Sequence, residues 1–209
     1  MTKESSQLIE DAACAVLCGG RARRMGADKA FVHWRGRPII QHVIDAASRV
    51  FSNVVLSIRD GNRLGELGLP IVRDILDLPS PLAGIHAVLK TIEQDRAVII
   101  AVDMPLIDPR LLRFLATVAP EADVAVPRIR GFFEPLLAVY STRCAPFIEK
   151  GLKSGSRKVI GFFEDVNVHV VEQAEIEAID PQLRSFVNVN SQADLKELEA
   201  THAPIEIED

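Results

Sequence analysis

Short runs rich in aliphatic and β-branched residues alternate along the chain with stretches in which apolar residues recur every three or four positions. That is the pattern of βα units around a largely parallel sheet. The short runs predict strands at 13–18, 53–58, 71–73, 98–102, 124–126, 136–140, 166–171 and 186–189. The helical-period stretches predict helices at 38–50, 82–94, 109–118, 143–150, 158–164 and 191–201. Several boundaries carry their own chemistry: Pro38 and Pro109 suit a first helical turn, Asp108 suits a cap, and Ser191 with Asp194 makes a capping box. No internal repeat, low-complexity tract or linker interrupts the series. The chain reads as one three-layer α/β domain over residues 13–200, with a mostly parallel sheet flanked by helices. Residues 1–12 read as a flexible, polar N-terminal extension and residues 201–209 as an acidic tail.

Composition narrows the classes of function. The 209 residues are 48% apolar and 25% charged, which excludes a disordered or collagen-like chain. No apolar run approaches the ~20 residues of a membrane helix, and the opening MTKESSQLIEDAA lacks a basic start and an apolar signal core, so a cytoplasmic protein with no membrane partner is expected. The net charge of −5 argues against a nucleic-acid partner, which calls for a broad basic face. Any bound anion must therefore be met by local charge. Cys14, Cys18 and Cys144 form no Cys-x-x-Cys pair, and they read as small core residues rather than disulfides or zinc ligands.

Local charge appears directly after the first strand. From Arg21 to Lys29 there are four positive charges and one negative, behind Gly19-Gly20 and around Gly26. Glycines let a backbone turn bring its N–H groups to an anion, and Arg and Lys add charge-assisted donors. At the carboxyl end of a strand this reads as a phosphate-gripping loop, although neither G-x-G-x-x-G nor G-x-x-x-x-G-K-[ST] is present. A solvated basic connection is the plainer alternative. Asp103 ends the apolar run 98–102 ahead of Met104-Pro105, where a carboxylate can hold Mg²⁺ or simply make a turn. Asp74 closes Val72-Arg73 ahead of the turn and helix start Pro79-Ser80-Pro81-Leu82-Ala83-Gly84. There it can accept from a ligand's amino or hydroxyl groups, or serve as a turn residue. Of the carboxamides in Asn188-Val189-Asn190, Asn188 is the better placed to reach a site and Asn190 the better placed to cap a helix. The five histidines have no ligand spacing and no serine lies in G-x-S-x-G, so hydrolase readings find no support.

Together these residues resemble a known pattern. Leu17-Cys18-Gly19-Gly20, Arg24-Met25-Gly26 and Asp28-Lys29 are similar to the L-A-G-G-x-x-x-R-M-G-x-D-K signature of the small nucleotidyltransferases, and more narrowly to the molybdenum cofactor guanylyltransferases. Gly36-Arg37-Pro38, Arg73-Asp74, Pro81 to Ile85, Asp103-Met104-Pro105, Glu134-Pro135-Leu136, Gly155 to Val159 and Phe186 to Asn190 follow in the family's order. The resemblance implies a Rossmann-like nucleotidyltransferase fold. It also implies transfer of GMP from GTP to the terminal phosphate of molybdopterin cofactor with release of pyrophosphate, and leaves room for transient contact with cofactor-biosynthesis proteins or molybdoenzymes. By the same carry-over, Leu17, Cys18, Gly19 and Gly20 with Pro81, Leu82, Ala83 and Gly84 frame the guanine. Asp74 contacts the nucleoside, Arg24 and Lys29 hold the phosphates, and Asp103 binds Mg²⁺. Asn188, Asn190 and Arg157 fall to the acceptor side or to its support. Gly19-Gly20 favours guanine, because cytidylyl relatives carry L-A-A-G. Cytidylyl transfer, a sugar-phosphate acceptor, and a non-catalytic nucleotide-binding protein are the alternatives. The chain departs from the pattern in having Cys18 for Ala, Ser57 where some members have Asn, and Glu134 where some have His.

Overall fold

The computed structural model describes residues 7–19, 29–59 and 63–201. The strands are β1 (Ala13–Leu17), β2 (His33–Trp34), β3 (Arg37–Pro38), β4 (Val54–Ile58), β5 (Ile71–Arg73), β6 (Arg96–Ala101), β7 (Val124–Ile129), β8 (Phe132–Phe133), β9 (Leu137–Ser141) and β10 (Val168–Glu172). The α-helices are α1 (Ile39–Ser48), α2 (Pro81–Thr91), α3 (Pro109–Val118), α4 (Ala145–Lys153), α5 (Gln173–Glu177) and α6 (Gln192–Thr201). Among the described residues the main sheet has the order β10-β7-β9-β6-β1-β4-β5, with β8 paired to β7.

Strand β1 shows why these residues form a central strand. All five are buried, with Cys14 and Val16 facing one apolar cluster and Ala13, Ala15 and Leu17 facing the other. A strand covered on both faces needs no polar alternation. Helices α1, α3 and α5 cover one face through residues such as Val43, Leu112 and Ile176, while α2 and α4 cover the other through Ile85, Ile148 and Leu152. The three layers follow. A small third cluster joins Val32, Trp34 and Ile39 to Val189, Leu195 and Leu198, so α6 closes over the β2–β3 hairpin. None of Cys14, Cys18 and Cys144 is in a disulfide. Burial, with the nearby Asp123 carboxylate, pushes Cys144 up to about 12 and leaves it a packing residue.

The sheet is parallel through β5-β4-β1-β6 and between β7 and β10, but β9 runs antiparallel between β6 and β7. Two elements differ in kind from the expected ones. The helix expected over 158–164 is the 3-10 segment Val159–Asp165, and the strand expected over 186–189 begins inside the 3-10 turn Arg184–Phe186. The Val189 N–H bonds to the Asp103 carbonyl at 2.9 Å, so the segment crosses the end of the sheet without joining it. The caps at Asp108 and Ser191 form as expected: Asp108 Oδ1 accepts from the Arg110 N–H at 2.7 Å, and Ser191 Oγ accepts from the Asp194 N–H at 3.1 Å. Pro38 stands just before α1 rather than within its first turn. Before β1, Ile9 makes an isolated parallel bridge to Phe51 and Ala12 is buried, which ties the chain to the domain ahead of residue 13.

Candidate active site

The carboxyl ends of β5, β4, β1 and β6 leave the sheet side by side. Leu17 is in register with Ser57 on β4 and with Ala101 on β6. Backbone bonding continues past those ends: the Cys18 N–H donates to the Ser57 carbonyl at 2.8 Å, Val102 to Leu17 at 3.2 Å, and Asp74 to Ile58 at 3.1 Å. Cys18-Gly19, Asp74 and Val102-Asp103 therefore emerge on one rim, where open α/β sheets bind ligands.

Helix α2 starts over this rim. Ser80 caps it, its Oγ accepting from the Leu82 N–H at 3.2 Å, and Pro81 takes the first turn, where a missing N–H costs nothing. Gly84 is the point of closest approach. A Cβ at that position would lie 2.9 Å from Ser57 Oγ, 3.3 Å from Leu17 Cδ2 and 3.7 Å from Asp74 Oδ1. Glycine lets the helix settle against three strand ends at once. Ser57, only 2% exposed, packs against the start of α2 here. The Ser80 hydroxyl also donates to the Arg157 carbonyl at 3.2 Å, which draws the Gly155-to-Val159 turn to the start of α2.

Asp103 leaves β6 with its Oδ1 buried, and its carbonyl holds the 187–190 segment through Val189. Asn188 is half-buried, with its Nδ2 donating to the Phe186 carbonyl at 3.3 Å. The cap expected of Asn190 belongs to Ser191, because Asn190 is exposed and its N–H donates to Asp194 Oδ2 at 2.6 Å. Leu17, Cys18, Gly19, Asp74, Pro81, Leu82, Ala83, Gly84, Asp103, Asn188, Asn190 and the Arg157 backbone thus gather at one end of the sheet. Gly20 and Arg24 lie outside the described residues, as does Arg21. Lys29 opens the 3-10 turn Lys29–Phe31, and its side chain lies outside the description.

The other half of the rim is built from the antiparallel strands. The Ala101 N–H donates to the Leu136 carbonyl at 2.9 Å, which places Glu134-Pro135-Leu136 beside the end of β6. Beyond them the β7–β8 hairpin turns through Arg130 and Gly131, both at positive φ, 52° and 83°. Glu134 is half-buried, and that burial pushes its carboxyl above the ordinary range. Behind Gly84, buried His86 faces the Glu149 carboxylate at 3.7 Å. Desolvation outweighs that carboxylate and lowers the imidazole's proton affinity. Among the described residues no group of three His, Cys, Asp or Glu is placed to hold a metal ion, and no helix is long and apolar enough to cross a membrane.

A strand-end rim, a glycine-bearing helix start and a carboxylate at the end of the central strand stand where open α/β sheets bind ligands. The chain belongs to the MobA-like NTP transferase domain family, whose model matches residues 14–169. It is 37% identical to a probable molybdenum cofactor guanylyltransferase of Pelotomaculum thermopropionicum over 86% of this chain and 88% of that one. A second relative, from Methanosarcina mazei and also called a probable molybdenum cofactor guanylyltransferase, is 34% identical over 94% of both chains. Among solved structures, the molybdopterin-guanine dinucleotide biosynthesis protein A of Archaeoglobus fulgidus superposes with a TM-score of 0.81 at 30% identity, over 93% of this chain and 98% of that one. A CMP:2-keto-3-deoxy-manno-octonic acid synthetase complexed with CTP shares the fold alone, at TM-score 0.69 and 16% identity, over 92% of this chain and 98% of that one.

Proposed function

We propose that this protein transfers GMP from GTP to the terminal phosphate of molybdopterin cofactor, forming a guanine dinucleotide cofactor and pyrophosphate. The observation that carries the reading is the convergence of Leu17, Asp74, Gly84 and Asp103 on one rim, in a chain whose relatives bear that name. The backbones of Leu17 to Gly20 and Pro81 to Gly84 frame the guanine, and Asp74 accepts from the nucleoside. Arg24 and Lys29 hold the phosphates. The buried Oδ1 of Asp103 is a hard oxygen donor, which fits Mg²⁺, an ion commonly held by one or two carboxylates plus substrate phosphates. When bound there, the ion supplies charge neutralisation at the phosphate oxygens.

The acceptor phosphate is already an anion at neutral pH, so its oxygen attacks the α-phosphorus without a strong general base. A new P–O bond forms as the bond to the β-phosphate breaks, and pyrophosphate departs. What this chain's residues do is position and neutralise: Lys29 and Arg24 meet charge that builds on the α-phosphoryl and leaving oxygens. The reaction belongs in the cytoplasm, where cysteines such as these three stay reduced.

The test is pyrophosphate release from each NTP with Mg²⁺, with and without molybdopterin cofactor, beside thermal shifts for the four nucleotides. GTP should protect most, by about 2.7 kcal/mol at ~100 times its dissociation constant, and release should need the acceptor. Preference for CTP, release with a sugar phosphate instead, or binding without turnover would each replace the reading.

A further inference from the structure

Two side chains on the antiparallel half of the rim have no role in the transfer reading. Phe132 is 75% exposed, more than the other large apolar residues described. Glu134 is half-buried, and among the described residues its carboxylate has no hydrogen bond or ion pair; desolvation alone accounts for its raised proton affinity. An exposed aromatic ring and a partly desolvated carboxylate side by side offer a stacking face and a hydrogen-bond acceptor on one surface.

The ladder places them together. Phe132 pairs with Ile129 and Phe133 with Arg128. The Glu134 N–H then donates to the Pro127 carbonyl at 2.9 Å, so pairing runs one residue beyond β8. Phe132 and Glu134 are two apart on that ladder and share one face, about 7 Å from each other along the strand. It is the face of Ile129, in the same apolar cluster as Met104 and Ile107 from the segment after Asp103. Phe133 takes the opposite face and packs edge-on against Phe163, ring centroids 5.8 Å apart. The hairpin is braced from outside: Arg128 pairs with Glu172, and the Arg130 N–H donates to Gln173 Oε1 at 2.8 Å. Leu136 is level with the last residue of β6, and Phe132, four residues before it, stands no more than about 14 Å from it at the same end of the sheet as Asp103.

We propose that Phe132 and Glu134 form the subsite for the acceptor's ring system, Phe132 stacking on the flat heterocycle and Glu134 accepting two hydrogen bonds from its aminopyrimidinone N–H edge. The inference rests on the guanylyl-transfer reading for the acceptor's identity. It follows from complementary chemistry. A carboxylate matches two parallel N–H donors as it matches a guanidinium fork, and an aromatic face takes a fused heterocycle as it takes a base. The acid in the acceptor's path thereby meets the ring's donor edge and not the anionic phosphate.

The experiment compares Phe132→Ala, Phe132→Tyr and Glu134→Gln with the unaltered protein. It measures KM for molybdopterin cofactor, KM for GTP, kcat, and binding of unphosphorylated pterin followed by quenching of its fluorescence. Phe132→Ala and Glu134→Gln should each raise the acceptor KM and the pterin dissociation constant by about 10-fold or more, with GTP KM and kcat within about twofold. Phe132→Tyr should keep pterin binding. Glu134→Gln should leave the thermal midpoint unchanged or higher, since it removes a desolvated charge. Unchanged pterin binding in both Phe132→Ala and Glu134→Gln, an equal rise in GTP KM, or a change of oligomeric state in Phe132→Ala would overturn the proposal. If the unaltered protein binds pterin through these two residues but transfers no GMP to the cofactor, the function reading fails and the subsite stands.

Discussion

On one side of the rim, Leu17, Ser57, Asp74 and Gly84 come so close that a single methyl group on Gly84 would collide with a hydroxyl. On the other, Glu134 and Phe132 stand on a hairpin that outruns the central strand, one half-buried and one open to solvent. The first half is shaped by backbone and by the absence of a side chain, and the second by side chains raised on a scaffold. Backbone readout requires closeness, and closeness is protected by packing. Side-chain readout requires exposure, at the expense of unpaired charge and wetted apolar surface.

The largest effect is expected where the halves meet. Asp103→Ala should reduce transfer by on the order of 10²–10³ while leaving the fold intact, because the residue sits past a strand end. Single-turnover pyrophosphate release beside thermal unfolding separates the two quantities, and near-normal turnover would reduce Asp103 to a turn residue.

Next comes the brace between the segment before 187–190 and the start of α3. Asp180 Oδ2 accepts the Ser185 N–H at 2.7 Å, and Ser185 Oγ in turn accepts the Asp108 N–H at 3.0 Å. Both Asp180 and Ser185 are buried. Asp180→Ala strands the buried Ser185 N–H and should destabilise the protein by ~1–3 kcal/mol in denaturant unfolding; a change within ±0.5 kcal/mol would mean that this N–H finds another partner.

The β1–α2 side of the rim should respond with a smaller stability change and a more specific one. Gly84→Ala gains up to ~1 kcal/mol of helix propensity but meets Ser57 Oγ and Leu17 Cδ2, and overpacking of this kind typically costs ~1–3 kcal/mol. A net loss of about 1 kcal/mol and weaker GTP binding are expected. Adding Ser57→Ala should restore part of both, and no rescue would show that the clash lies elsewhere.

The smallest effect concerns pH. Burial lowers the folded-state pKa of His86 below its reference of 6.5, so below that pH the unfolded chain binds a proton that the folded chain resists. Stability from this residue is present above 6.5 and is lost as pH falls through it. His86→Leu should flatten the slope of stability between pH 7.5 and 5.5, and an unaltered slope would assign the acid sensitivity to other groups.

The same contrast sorts what the sequence could say. The half of the rim around β1 and α2 is legible because its parts are local: a strand end, glycines, and a Ser80-Pro81 helix start, each with a meaning that survives out of context. Strand direction is not, since the run Leu136 to Tyr140 looks alike whether β9 runs with or against β6. The alternation Phe186-Val187-Asn188-Val189 has strand period, yet Val189 gives its N–H to Asp103 and no ladder forms, because the tertiary partner overrode the pattern. The two-residue strands β2 and β3 are too short to register as a period. Glu134 stands in the sequence within Glu134-Pro135-Leu136 and as a departure from the family pattern, and nothing there marks Phe132, since their relation depends on pairing that continues to Pro127. The Arg130-Gly131 turn between apolar runs was the available signal for that hairpin.

The bridge between Ile9 and Phe51 has a practical side. Phe51 precedes β4 and Ile9 precedes β1, so both lie at the amino end of the sheet. Strands of five residues, about 17 Å long, separate that end from the rim where Leu17, Asp103 and Phe132 gather. Anchored to a surface through the Ile9 side of the sheet, the protein would turn its rim toward the solution, whereas an anchor on α6 would begin from the helix packed beside Val189.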